Sequence, residues 1–280
     1  MTSRTEKLVF ASTWQKNAGP IGEGLAKFLE WLSSESGIRI SNRAALSYQE
    51  LAEMLRTGGA DIAWLPPIVY AKLEREGIVV PIASHERAAI ARYESVLIVR
   101  KKSQIRELED LRDTRVGWVD RWSASGFVLP RIALFARGID PRGLFAEERF
   151  YGSHDSAVRA LLGERADAVA AFARADDSGE HQHGSWSEIE GAADRVRVLV
   201  AFGSLPADVT AAHSSLDDER KGKIARALEK ASSIPEIKKL IDTVFGIERF
   251  KADGLADYDG LRRALESAYA CGLIDERVVR

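Results

Sequence analysis

The sequence predicts an α/β protein of two lobes, each a mixed, mostly parallel sheet flanked by helices. Three observations lead there. Short apolar, strand-like runs alternate with amphipathic helical stretches through the first hundred residues, and the same alternation restarts after the basic segment Arg100-Lys101-Lys102. From Leu216 onward the pattern is mainly helical, and helices without strands of their own need a sheet to cover. A chain of 280 residues can build two such lobes.

Taken in order, residues 8–11 form a compact apolar strand, and Leu25, Phe28, Leu29 and Leu32 fall at helical spacing over 22–32. A strand at 38–40 follows. Ser47 and Glu50 make a capping box for a helix over 51–56, which Gly58 and Gly59 stop. Residues 61–65 read as a buried strand, Pro66 and Pro67 open a helix to residue 74, and 78–83 and 95–99 are strands again.

The second round gives a short helix at 108–111, a strand at 115–119, a helix over 126–136, a strand at 148–151, a helix over 156–162 and a strand at 168–172. Residues 176–194 are polar and glycine-bearing, an irregular excursion before a strand at 196–200. Helices over 219–232, 235–244 and 258–269 end the chain and are expected to return to the first lobe. Residues 1–100 and 201–280 then form the first lobe and residues 101–200 the second.

Composition excludes several classes of function. Apolar residues at 45% and charged residues at 29% describe an ordinary globular protein. The formal net charge of −2, with both signs interspersed, provides no broad positive field for nucleic acid or anionic membrane. No apolar stretch reaches the ~20 residues that cross a bilayer. Cys271 is the lone cysteine, so no internal disulfide forms. The N-terminus shows no apolar secretory segment, so the chain as written is expected in the cytoplasm, or in the periplasm if a leader precedes it.

The sharpest local feature is Ser123-Ala124-Ser125-Gly126, between a strand and a helix. Such a junction presents free amides, the positive end of a helix dipole and rotatable hydroxyl donors, which together suit an anion. Gly152-Ser153-His154-Asp155 forms a second junction of this kind, with an imidazole able to donate. Serine caps and surface histidines are common, so neither motif alone defines a site. His181-Gln182-His183, near Asp177 and Glu180, lacks the spacing of a structural metal site. No nucleotide loop, nucleophile elbow or zinc-protease helix is present, so no catalytic residue, metal or cofactor is expected.

The joint order of these motifs resembles the substrate-binding component of phosphate, phosphite and phosphonate ABC importers, a family with the type 2 periplasmic-binding-protein fold. The matching stretches are Ser47-Tyr48-Gln49-Glu50-Leu51, Asp61-Ile62-Ala63-Trp64-Leu65, Tyr93-Glu94-Ser95-Val96-Leu97, Ser123-Ala124-Ser125-Gly126 with Pro130-Arg131, and residues 152–158. Leu205-Pro206-Ala207-Asp208-Val209 is similar to the family's last ligand-facing loop, and the resemblance runs from residue 8 to 265.

The resemblance implies a ligand cleft between the lobes. It implies that ligand oxygens are held by a Ser-Thr-Ser segment, two tyrosines and a histidine, with an acidic residue facing an amino group. By position these are Ser123 and Ser125, Tyr48 and Tyr93, His154, and Asp208. Trp14, Trp122, Ala124 and Gly126 are candidate pocket walls.

One departure is Ala124, where the family carries threonine; losing a donor to a charged oxygen costs ~1.5–3 kcal/mol. The missing export signal is the other. The expectation is a monomer that captures a small oxyanion without chemistry and meets an ABC permease, or an intracellular signalling partner if it is not exported. The alternatives on the same fold are a cytoplasmic sensor domain and a lyase acting on a small carboxylate, with His154 and Asp208 as acid and base and Tyr93 as proton donor.

Overall fold

The structure is a computed structural model that describes residues 7–13, 20–86, 92–175, 179–181, 183–204, 206–251 and 258–275. The chain divides into two compact units. The first comprises Met1–Ala88 and Pro206–Tyr258, the second Ala89–Leu205 and Asp259–Arg280.

The first unit opens with β1 (Lys7–Ser12), α1 (Pro20–Ser36), β2 (Arg39–Ala44), α2 (Tyr48–Arg56), β3 (Ile62–Leu65), α3 (Pro67–Arg75) and β4 (Val79–Glu86). The Ser47 hydroxyl caps α2 by accepting from the Glu50 amide at 3.1 Å, while the Glu50 carboxylate reaches one residue further back than a capping box does, to the Leu46 amide. Strands β1, β2 and β3 pair in parallel.

The second unit carries β5 (Arg92–Arg100), β6 (Arg115–Trp118), α4 (Leu129–Ala136), β7 (Glu147–Phe150), α5 (His154–Leu162), β8 (Ala168–Ala175), the two-residue β9 (His183–Gly184) and β10 (Val196–Ser204). The chain then supplies β11 (Val209–His213), α6 (Asp218–Ala231), α7 (Pro235–Phe245) and β12 (Arg249–Lys251) to the first unit, and α8 (Tyr258–Ala270) runs into the second.

Both sheets are mixed. The first has the order β12-β4-β11-β3-β1-β2, the second β10-β5-β8-β6-β7. The mostly parallel arrangement expected for the first unit is broken by β11, which inserts between β3 and β4 antiparallel to both. The sequence Val-Thr-Ala-Ala-His of β11 is too short and alanine-rich to announce itself as a strand, and the pairing, not the residues, makes it one.

Three boundaries differ from the sequence-based expectation. Strand β5 pairs antiparallel with β8 and β10 and so lies in the second unit, which moves the end of the first segment from residue 100 to 88, and the end of the second moves from residue 200 to 205. The C-terminal residues from Asp259 also belong to the second unit, held there by the Arg131 guanidinium donating to the Leu273 carbonyl at 2.9 Å and Arg142 donating to that of Cys271 at 2.6 Å. Helices α6 and α7 do cover the first sheet.

In the first unit every residue of β3 is buried, which requires cover on both faces. Helices α1, α6 and α7 close one face around Phe10, Phe28, Trp64, Ile224, Ile241 and Phe245; α2 and α3 meet the sheet from outside that cluster. Trp64 stacks on Phe245 at 4.6 Å and on His85 at 3.7 Å between ring centroids. The second unit has its own core, in which α5 and the Trp186 segment cover Val96, Ile98, Val169 and Val196. Full burial of each such side chain contributes about 1.5–3 kcal/mol.

Register fixes which side chains share an edge. In the first unit β1, β2 and β3 end at Ser12, Ala44 and Leu65, and Val209 pairs with Leu65, so Tyr48 and Asp208 stand at the carboxyl edge of the parallel strands. In the second, β6 and β7 end just before Ser123 and His154, and Tyr93 pairs with Arg174 at the end of β8. Tyr93, Ser123, Ser125 and His154 therefore share that edge, where open α/β sheets bind ligands.

Candidate functional site

The second unit builds its site from two loop–helix junctions tied to one strand end. The Val119 amide donates to the Gly126 carbonyl at 3.0 Å, and the Val119 carbonyl accepts from the Gly152 amide at 2.8 Å, so one residue straps both junctions. Residues Ala124–Val128 form a π-helical turn that leads into α4. Pro130 explains the widening. In a regular helix residue 130 would donate to Gly126, and proline has no proton to give. The Gly126 carbonyl turns to Val119 instead, and the Val128 amide reaches five residues back to Ser123 at 3.0 Å.

Within this turn the Ser123 hydroxyl accepts from the Gly126 amide at 3.0 Å and retains a proton to donate. The amides of Ala124 and Ser125 have no acceptor among the described residues, although both residues are buried, at 6% and 5% exposed. They are the first two amides of a helical segment, which has no intrahelical acceptor for them, and so they are open to an acceptor from outside the chain. The Ser95 hydroxyl, fully buried, donates to the Ser125 carbonyl at 2.9 Å and fixes the turn from β5.

Gly126 is required by close approach. A Cβ there would lie 2.4 Å from Cβ of Val119. Gly126→Ala is expected to cost about 1–3 kcal/mol through overpacking and to weaken anion binding by displacing the two amides; chemical denaturation and calorimetry on the variant check both.

At the second junction, Ser153 caps α5 by accepting from the Ser156 amide at 3.1 Å, and His154 is the first helical residue. Its Nε2 lies 3.3 Å from the Ser125 hydroxyl and its Nδ1 3.1 Å from the Ser185 hydroxyl. The ring meets Phe172 edge to face at 5.0 Å, and Tyr93 stacks on the same phenylalanine at 4.9 Å. Tyr93, Ser123, Ser125 and His154 thus form one cluster around the end of β8.

Protein atoms enclose the imidazole even though the residue keeps some accessible surface, and burial pushes its pKa down to about 4. It is neutral at pH 7 rather than a cation. Because the folded value lies below the ordinary 6.5, the unfolded chain takes up this proton first as the pH falls. Native stability therefore declines from about pH 6.5 to about 4 and is unaffected by this group above that window. His154→Gln is expected to flatten that part of a stability–pH profile measured by thermal unfolding.

The first unit places its residues at its own edge. Tyr48 opens α2, and Asp208 accepts from the Trp64 indole at 3.0 Å, which aligns its carboxylate beside β3. Trp122 is buried within the loop preceding the π turn. Trp14 and Leu205 lie outside the described residues, as do Asp177 and Gln182. His181 pairs with Glu94 at 2.8 Å, and among the described residues no three metal-ligating groups converge.

Sequence reasoning missed Ser95 and Ser185. Ser185 lies in the stretch read as a polar loop, yet Trp186, Ile189 and Ala192 anchor that stretch in the core; their spacing was the available signal. A cavity of about 710 Å³ lined by Arg100, Lys101, Lys102 and Arg195 lies at the opposite end of β5 and takes no part in this cluster.

Two α/β units with mixed sheets, each presenting helix starts at the carboxyl edge of its strands, define the class of two-lobed solute-binding proteins. The family model described as "ABC transporter, phosphonate, periplasmic substrate-binding protein" matches residues 13–258, and the chain belongs to that family.

The phosphate-import protein PhnD of Mycolicibacterium smegmatis is 25% identical over 181 residues, which cover 60% of this chain and 55% of that protein. The chain is thus matched to about half the length of that relative. Among solved structures, a binding-protein component of a phosphonate ABC transporter from Pseudomonas aeruginosa superposes with a TM-score of 0.76 at 20% identity, covering 96% of this chain and 89% of that one. PhnD1 of Prochlorococcus marinus, solved in complex with methylphosphonate, gives a TM-score of 0.75 at 16% identity, covering 96% and 99%. Likeness at this level shows the shared fold. Among the described residues no helix is long and apolar enough to cross a membrane.

Proposed function

We propose that the chain binds a phosphate-like or phosphonate-like oxyanion at the Ser123–Gly126 turn and His154, releases it unchanged, and hands it to an ABC permease from the periplasmic side. The observation that carries this reading is the pair of amides of the buried residues Ala124 and Ser125, without an acceptor among the described residues, next to the Ser125 hydroxyl and the His154 imidazole. Neutral donors at helix starts bind an anion strongly in a low-dielectric site, and no arginine is needed. Tyr93 adds a phenol in the same unit. The family resemblance supports a ligand role for Tyr48 and Asp208, which stand at the carboxyl edge of the first unit's own sheet. The relatives named for phosphate import and for a methylphosphonate complex support the choice of anion.

The Ser125–His154 contact has the outward form of a nucleophile and base, but the imidazole is a poor base for that task. Its pKa near 4 lies well below the operating range of a general base, and the group on its far nitrogen is a serine hydroxyl rather than a carboxylate. Both features suit recognition better than turnover.

Titration calorimetry against phosphate, phosphite, methylphosphonate and 2-aminoethylphosphonate, with sulfate and acetate as controls, tests the reading. The expected result is saturable heat with at least one phosphorus oxyanion at a stoichiometry of one. Saturable binding of acetate alone, or no heat from any phosphorus oxyanion, contradicts it.

A further inference from the structure

We propose that Ser185 is a positioning residue that holds His154 as the Nε2–H tautomer, so that the imidazole offers a proton, never a lone pair, to the anion side of the site. This rests on the oxyanion reading of the same cluster and adds a specificity to it.

The argument is a count of donors and acceptors. A serine hydroxyl has one proton and two lone pairs. The Phe172 amide donates to the Ser185 hydroxyl at 3.0 Å, occupying one lone pair. The hydroxyl proton then has two acceptors within reach, Nδ1 of His154 at 3.1 Å and the Phe172 carbonyl at 3.3 Å. That carbonyl already receives the Ser185 amide at 3.0 Å, and the imidazole nitrogen is nearer. The alternative, in which Nδ1–H donates to the hydroxyl's second lone pair and the hydroxyl turns to the Phe172 carbonyl, gives that carbonyl two donors, one of them at the longer distance. The shorter contact favours the proton toward Nδ1, which puts the ring's own proton on Nε2, 3.3 Å from Ser125. The Ser125 hydroxyl, receiving that proton, is free to direct its own outward, so the bonds polarise one another in one direction.

The placement of Ser185 is itself enforced. Gly184 permits the approach of β9 to β8, since a Cβ there would lie 2.6 Å from the Phe172 carbonyl oxygen, and Trp186 is sunk in the core on the other side. The neutral state of the ring at pH 7 is consistent with its burial.

The consequence is selection. With Nε2–H and the Ala124 and Ser125 amides as fixed donors, the subsite favours a deprotonated oxygen, the stronger acceptor, over a hydroxyl-bearing one.

Nitrogen-15 spectra of the His154 imidazole in the ligand-free protein at pH 7 test the inference. The wild-type ring is expected as Nε2–H, Ser185→Ala as a mixture with the Nδ1–H form, and Ser185→Thr as wild type. Affinity for inorganic phosphate is expected to fall about 3- to 10-fold in Ser185→Ala and to recover in Ser185→Thr, an effect sized as one weakened hydrogen bond. If the alanine variant fails to fold because the Phe172 amide loses its acceptor, Ser185→Cys keeps a weak acceptor there with a poor donor and is read instead.

A wild-type ring in the Nδ1–H form, or a tautomer indifferent to Ser185, overturns the proposal. The tautomer is read without ligand. A Ser185-dependent Nε2–H ring in a protein that binds no oxyanion would therefore sink the functional reading and leave this one standing.

Discussion

Ser125→Ala weakens binding of a phosphate-type anion about 10- to 100-fold while leaving the fold intact. Ser125 is 5% exposed and its side-chain partner in the structure is the His154 ring, so removing the hydroxyl opens no structural network beyond that one contact. The backbone bond from Ser95 to the Ser125 carbonyl survives the substitution. What disappears is a donor to a charged oxygen, typically about 1.5–3 kcal/mol, and each 1.4 kcal/mol is tenfold in affinity. Ser125→Asp goes further, because its carboxylate takes the orphan amides of Ala124 and Ser125 for itself and repels the guest; binding is expected to vanish. Calorimetry reads both variants, with thermal unfolding as the control that each has folded. Unaltered affinity in Ser125→Asp would remove the turn from the site.

Arg131→Ala is expected to cost about 1–3 kcal/mol of stability, the range for leaving polar partners without their donor, because the Glu148 carboxylate it pairs with stays in contact with solvent. Arg131 is 7% exposed. Its guanidinium joins the Glu148 carboxylate, donates to the Leu273 carbonyl and lies over the Phe127 ring at 5.3 Å, while the Trp118 indole donates to the same carboxylate at 2.8 Å. One residue therefore ties α4 to β6, β7 and the C-terminal segment. Truncation leaves the Glu148 carboxylate without its cation and the Leu273 carbonyl without that donor. Removing both charges together, as Arg131→Met with Glu148→Gln, recovers part of the loss, since methionine refills the buried site of Arg131 and no carboxylate is left without its cation. Urea midpoints of the single and double variants provide the comparison. Because α4 carries the Ser123–Gly126 turn at its start, the single variant also loses anion affinity.

Much of the fold was legible because its signals are local. Helical spacing over Leu25, Phe28, Leu29 and Leu32 marked α1, and Ser47 with Glu50 marked the start of α2. Sheet membership was not legible, since it depends on distant partners. β5 reads as a strand in any context, and only its pairing with β8 and β10 assigns it to the second unit. The three residues of β12 carry too little pattern to be seen.

The site divides the same way. Ser123 and Ser125 stood out at a strand–helix junction and His154 at another, and the family resemblance added Tyr48, Tyr93 and Asp208. The strap through Val119 and the support from Ser185 come from residues with no motif of their own, as does the contact of His154 and Tyr93 with one phenylalanine, and Ser95 lay inside a matching stretch with nothing to mark its bond to the Ser125 carbonyl. The wide turn before Pro130 was not legible, since its form depends on the Gly126 carbonyl bonding to Val119.

The most direct measurement is amide chemical-shift mapping of the nitrogen-15-labelled protein during titration with phosphate or methylphosphonate. The predicted result is that the Ala124 and Ser125 amides move furthest downfield, with His154 and Asp155 following and the core of the first unit, around Phe28 and Ile241, unmoved. Saturable shifts that bypass residues 123–126 and gather elsewhere would contradict the account, however tightly the anion bound.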